Sequence, residues 1–176
     1  MMFDMRAVSI LQGVFKGSVE PAEECFTKSA SLKFMITKDE ERIAVQILDD
    51  NHCFICGKDN PIGFKAEFAI DPERRRAETR VRIDETYQGW QGITHGGIIS
   101  ALLDEICAQA CIGSGLTVVT SEIKIRYRAP VPTGSLVTVI GEVVGERRRL
   151  VDVEGRVELD GKVMAEAEVT MFRTAA

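Results

Sequence analysis

A histidine and two glycines stand where a loop turns into a helix, and a carboxylate follows nine positions after the histidine. His95-Gly96-Gly97 open an apolar-periodic run, and Asp104 lies inside it. The first turn of a helix leaves backbone N–H groups without intrahelical partners, and the macrodipole adds partial positive charge there. Glycine at 96 and 97 leaves those donors unshielded, so the turn suits a carbonyl oxygen or a developing oxyanion. Asp104 follows about two and a half turns along. A carboxylate on an apolar helix is costly to bury and should have a partner or a task. Each piece alone has a plainer reading, as a helix-start turn and as a solvent-facing acid. Glu105, on the neighbouring face, reads as a surface or subunit-contact charge.

A second group of reactive side chains is Cys53-x-x-Cys56, next to His52. A structural zinc site normally takes four ligands, and no second pair follows at finger or ribbon spacing. Cys107 and Cys111 fall on the helix as small packing residues. The expectation is therefore no metal, and a tight turn at 53–57 that Asn60-Pro61 and Gly63 carry on into the sheet. A catalytic cysteine is not expected either. With Cys25 the cysteines number five, an odd count that leaves no complete disulfide framework. Reduced thiols in a cytoplasmic protein are the simplest reading.

The elements that must position these residues are readable from periodicity. Phe64, Ala66, Phe68 and Ile70 alternate over 64–70, and Ala77, Thr79, Val81 and Ile83 alternate over 77–83, so two strands are predicted with an Asp71-Pro72 turn between them. Residues 84–95 read as loop. A helix is predicted over 96–112, stopped by Gly113-Ser114-Gly115. Ile98, Ile99, Leu102, Leu103 and Ile106 form its broad apolar face. Gly97, Ser100, Asp104, Cys107 and Cys111 form a stripe of small or polar residues, a face a second subunit could approach. Four strands follow at 118–127, 135–144, 150–159 and 163–172, with Asp160-Gly161 as the strongest hairpin signal. Short connections imply antiparallel pairing. The expected class is α+β, a highly curved antiparallel sheet of about six strands wrapped on one long helix.

The chain has 176 residues, 45% of them hydrophobic, and a net charge of -5. Such a chain lacks the basic footprint of a sequence-independent nucleic-acid binder. No apolar stretch approaches the ~20 residues that span a bilayer, and the N-terminus does not read as a signal peptide. Residues 1–50 carry 6 basic and 9 acidic side chains and lack clear periodicity. They are read as an N-terminal extension to a domain at 51–176: a short capping helix, a mobile arm, or a segment translated ahead of Met35. A helix-turn-helix is disfavoured there.

The run Tyr87 to Glu105, with His95-Gly96-Gly97 and Asp104 nine positions after the histidine, resembles the hotdog-fold acyl-CoA thioesterases of the phenylacetate-pathway type. The strand Thr120-Ser121-Glu122-Ile123-Lys124-Ile125-Arg126-Tyr127, followed by Arg128-Ala129-Pro130, is similar too. So are Cys53-Phe54-Ile55-Cys56-Gly57 and Asn60-Pro61-Ile62-Gly63-Phe64. The likeness covers about 51–173. It implies an active site shared between two subunits of a homodimer or homotetramer, with an acid from one facing the HisGlyGly turn of the other. Asp104 would be general base or nucleophile, the Gly96 amide would polarise the thioester carbonyl with Gly97 beside it, and His95 would orient the turn or the thioester. Thr120 falls where relatives position the water, or is simply a strand residue. Relatives carry Asn or Gln six residues before the histidine. Gly89 stands there in this chain, so either the loop shifts and Gln88 or Gln91 serves instead, or that contact is absent.

Coenzyme A carries phosphates, so the resemblance directs attention to Arg126, Arg128 and the run Arg147-Arg148-Arg149, with Arg148 at its centre. A solvated turn is the plainer reading of that run. Trp90 and Tyr87 would line an acyl or pantetheine channel or serve packing. The expected activity is hydrolysis of an acyl-CoA thioester, with no cofactor beyond the coenzyme A of the substrate. The rival is a non-catalytic acyl-CoA-binding sensor on the same scaffold. A hotdog hydratase ranks last, because His52 and His95 are the only histidines.

Overall fold

A computed structural model describes residues 49–174. The reading of residues 1–50 as an extension therefore lies, but for Asp49 and Asp50, outside the described residues. Among the described residues the strands β1 (Ala69–Asp71), β2 (Arg76–Arg82), β5 (Val118–Tyr127), β6 (Leu136–Arg147), β7 (Leu150–Leu159) and β8 (Lys162–Arg173) form one sheet in the order β1-β2-β6-β7-β8-β5. All its pairs are antiparallel. The helix α1 (Gly96–Ile112) packs on one face, as its periodicity predicts.

The sheet alternates as two-faced strands must. Along β7, Val151, Val153 and Val157 are buried against the helix. On the other face Lys124 pairs with Glu168 at 3.2 Å, and Arg156 with Glu158 at 2.6 Å. That face is charged and solvated, so the core lies between sheet and helix. Ile99, Leu102, Leu103 and Ile106 fill it from α1. Two glycines let the helix approach closely. A Cβ on Gly141 would lie 2.6 Å from the Ile106 carbonyl oxygen, and one on Gly155 would lie 2.8 Å from Cys107 Sγ. The tight β7–β8 hairpin turns on Asp160 and Gly161, both at positive φ (50° and 76°), as a type I′ connection requires.

Three expectations need correction. The strand at 64–70 is reduced to Ala69–Asp71. Lys65 has φ 52°, and the Phe64 and Ala66 amides donate to the Phe54 and Ile55 carbonyls, so this segment clasps the loop before it instead of a strand. Residues 84–95 are more than loop. Asp84 caps a 3-10 turn at Glu85–Tyr87, and a small hairpin follows from β3 (Gln88–Trp90) and β4 (Ile93–Thr94) through Gly92 at φ 71°. The small-residue stripe of the helix is not one open face. Gly97 is exposed and Asp104 half-buried, but Cys107 and Cys111 turn fully into the sheet.

Candidate active site

The start of α1 is held by its own histidine. The His95 amide donates to the Tyr87 carbonyl at 2.8 Å, and His95 Nδ1 accepts from the Gly97 amide at 2.9 Å. Acceptance at Nδ1 places the proton of neutral His95 on Nε2. The cap also occupies one donor foreseen as open, that of Gly97. The Gly96 N–H meets no acceptor among the described residues and remains the available donor of the turn. The Gly96 carbonyl is fixed by Tyr127 Oη and Ser100 Oγ, each donating at 3.0 Å, and these two hydroxyls lie 2.7 Å apart.

Beside this turn opens a cleft of about 510 Å³ lined by Trp90, Thr94, Gly96, Ile99, Tyr127 and Arg128, among others. Thr94 is buried, and its Oγ1 has no hydrogen-bond partner among the described residues. A buried hydroxyl without a partner carries a desolvation cost of about 1–3 kcal/mol, which a polar ligand atom in the cleft would offset. Trp90, 80% exposed, stands at its rim. Tyr87 lies outside it, stacked on Phe64 at 4.4 Å and donating to the Ile62 carbonyl.

Asp104 lies further along α1, eight residues from Gly96, or roughly 12 Å along the axis. Its Oδ1 accepts a hydrogen bond of 2.6 Å from Thr120 Oγ1. The strand β5 delivers that hydroxyl through a bulge between Thr120 and Glu122, which turns Thr120 toward the helix opposite the buried Met171. Asp104 Oδ2 has no protein donor among the described residues. Within one chain, then, the acid with its threonine and the open amide belong to one helix but lie too far apart to act on one carbonyl group.

The remaining candidates separate. Gln88 Oε1 accepts from the Gly92 amide at 3.2 Å and serves its own turn, while Gln91 is exposed. Gly89 presses on His95: a Cβ there would lie 3.0 Å from His95 Cα and 3.1 Å from Cδ2. A side chain there would require His95 to give by a few tenths of an ångström. Arg128 borders the Gly96 cleft and bonds Glu166, whose carboxyl it holds below the usual range. Arg126 points to the outer sheet face, in a groove with Lys124 and Arg156. Arg148 lies in the exposed β6–β7 turn at φ 55°. Register places that turn at the Thr120 end of the sheet, since Leu150 and Val119 both pair with Phe172. Cys107 and Cys111 are packing thiols. Burial pushes Cys107 far up and Cys111 up to about 11, so neither is a ready nucleophile. Ser100, Tyr127 and Thr94 escape a reading from sequence, where a small helix residue and two strand residues carry no distinctive signal.

A curved six-stranded antiparallel sheet on one helix, with an acid on the helix and a glycine turn at its start, is a hotdog fold. Residues 91–171 match the family model of the thioesterase superfamily. A thioesterase superfamily protein of known structure is similar at 24% identity and TM-score 0.66, over 69% of this chain. The match spans 60% of that relative's length. The acetyl-CoA-bound protein of Streptococcus mutans is 24% identical, with TM-score 0.58 over 62% of this chain and 89% of that one. A variant of the phenylacetic acid degradation protein of Thermus thermophilus is 25% identical, with TM-score 0.57 over 61% and 92%. Among curated proteins no sequence matches. No helix among the described residues is long and apolar enough to cross a membrane.

Proposed function

We propose that this chain is an acyl-CoA thioesterase that works as a homodimer. The observation that carries the reading is the Thr120-held Asp104 carboxylate, on the same helix as the open Gly96 amide but beyond its reach. The edge strand β5 explains how both could meet. Its residues Ile123 and Tyr127 pair with Val169 and Ala165, which are buried, yet are themselves 37% and 52% exposed. Inward-pointing apolar residues on an unpaired edge call for a partner strand. An antiparallel second copy would bring the Asp104 end of one chain beside the Gly96 end of the other. A tetramer would pair two such dimers by a further surface.

In this arrangement the thioester carbonyl oxygen accepts from the Gly96 N–H. Asp104 takes a proton from water as its oxygen attacks the carbonyl carbon, or attacks directly through Oδ2 to form a mixed anhydride that water then opens. The negative charge of the tetrahedral intermediate rests on the amide at the positive helix end. Collapse breaks the carbon–sulfur bond and releases CoA thiolate, which gains a proton, and the free acid. The His95 cap fixes the direction of the turn, and Thr120 fixes Asp104. Arg128 and, from the Asp104 end, Arg148 are the cations suited to the phosphates. Gln91 is free to reach substrate, while Gln88, Gly97 and Arg126 would first have to leave their present surroundings.

Two structures of the related pneumococcal thioesterase carry alanine at an aspartate and at a threonine sixteen positions apart. Asp104 and Thr120 have the same spacing, and another structure of that protein holds coenzyme A. This likeness supports the assignment of the pair. The test is CoA release from short, medium, long and aromatic acyl-CoAs by the wild type and by Asp104→Ala. Loss of general-base catalysis predicts a fall of about 10²–10⁴-fold in the variant, with a folded dimer retained. Near-normal hydrolysis by Asp104→Ala would sink the mechanism. Tight binding without turnover by the wild type would make the chain a sensor.

A further inference from the structure

The fold brings a carboxylate to the cysteine pair that sequence leaves incomplete. Cys53 Sγ lies 3.4 Å from Glu105 Oε2, and ligand atoms of Cys53, Cys56 and Glu105 all lie within 4.8 Å of one another. His52 is not part of the group, since its Nδ1 is bonded to the Asp50 carbonyl at 2.8 Å. The expectation of no metal rests on counting ligands along the chain. Such a count misses Glu105, which arrives from the helix.

We propose that Cys53, Cys56 and Glu105 form a binding site for a thiophilic divalent cation, zinc above all, with water at the fourth position. Ideal zinc distances of about 2.3 Å to sulfur and 2.0 Å to a carboxylate oxygen, at tetrahedral angles, give a sulfur–oxygen separation of about 3.5 Å and a sulfur–sulfur separation of about 3.8 Å. The observed 3.4 Å between Cys53 Sγ and Glu105 Oε2 fits without movement. The loop has the form a chelating pair needs. The Ile55 amide donates to Cys53 Sγ at 3.4 Å, and the Gly57 amide donates to the Cys53 carbonyl at 2.9 Å. A Cβ at Gly57 would lie 2.4 Å from the Asn51 carbonyl oxygen and from the Cys53 nitrogen, so the knuckle closes only on glycine.

Glu105 is itself aimed. Gln109 Nε2 donates to Oε1 at 2.8 Å, leaving Oε2 turned to the sulfurs in the manner of a supported metal ligand. A bound dication favours the thiolate forms of the two cysteines and balances the Glu105 carboxylate beside them. The site would pin the 53–57 loop to α1 at the residue after Asp104, on a different face of the helix.

The test is zinc titration of the reduced full-length chain, after chelator treatment, against a chromophoric competitor. One equivalent per chain should bind, and cobalt in its place should give a thiolate-to-metal charge-transfer band. Zinc should raise Tm in the wild type but not in Cys56→Ser. Glu105→Gln should weaken binding more than about tenfold, and Gln109→Ala by about 10–100-fold. Cys25→Ser should bind as the wild type does. Zinc uptake no greater than that of a Cys53→Ser/Cys56→Ser variant would overturn the site. So would unchanged affinity in Glu105→Gln, or a Cys53–Cys56 disulfide as the ground state under reducing conditions. None of these readouts depends on thioesterase activity.

Discussion

Replacing Thr120 with valine isolates one hydrogen bond of the proposed site. Valine keeps the branched shape suited to β5 and removes only the hydroxyl that donates to Asp104 Oδ1 at 2.6 Å. A hydrogen bond to a charged group is worth about 1.5–3 kcal/mol when well enclosed. Thr120 is exposed in the single chain, so about 1–2 kcal/mol is the appropriate range. At about 1.36 kcal/mol per tenfold, kcat should fall by about 5–30-fold. KM should hardly move, because the hydroxyl touches the acid and not the substrate. The assay is steady-state CoA release by Thr120→Val, Asp104→Asn and the double variant. If Thr120 acts through Asp104, valine adds nothing in the asparagine background, and the coupling equals the single-variant loss. Unchanged kcat in Thr120→Val, or a full further loss in the double variant, would refute the pairing.

Other outcomes follow from particular contacts. Gly89→Asn installs the polar residue that relatives carry but sets a Cβ 3.0 Å from His95 Cα; kcat/KM should fall about tenfold or more, by about 1.4 kcal/mol, and a gain would mean that the turn yields freely. Ile123→Lys places a charge on the uncovered edge of β5 and should yield a folded monomer without CoA release, checked by light scattering and circular dichroism. Gly141→Ala should destabilise by about 1–3 kcal/mol in urea unfolding, more than Gly155→Ala does, because it meets the Ile106 backbone where Gly155 meets the Cys107 and Leu103 side chains.

Much of the fold was legible because most of it is periodic. The helix at 96–112 and the strands from 118 onward follow from apolar spacing and glycine punctuation, and their bounds shift by no more than three residues. The segment 64–70 misleads because alternation records burial and not pairing. Phe64, Ala66 and Phe68 are half-buried while Lys65 and Glu67 are exposed, as a strand would have them, though the backbone bonds to the loop at 54–55. His95, Gly96 and Asp104 could be named in advance because local chain geometry sets the turn and the helix phase, whereas Thr120 stands out only through the family resemblance. The Gly97 cap could not, since it depends on a side-chain rotamer. Nor could the roles of Tyr127 and Thr94, whose environments are made by chain segments distant in sequence.

The consecutive acids Asp104 and Glu105 show what the helix does with adjacent residues. Neighbours on an α-helix point about 100° apart, so two side chains joined by one peptide bond can serve unrelated surroundings. Asp104 turns toward the β5 edge, where Thr120 holds it. Glu105 turns toward the 53–57 loop, where Gln109 and Cys53 hold it. Read as a string, the second acid is a control for the first, a charge of no particular task. In the fold it is half-buried with both oxygens engaged, which a surface charge does not need. Two different costs of burial are met on one turn of helix, the first by a hydroxyl and the second by an amide and a thiol. That difference in partners is why the first suits proton transfer to water and the second suits a soft cation.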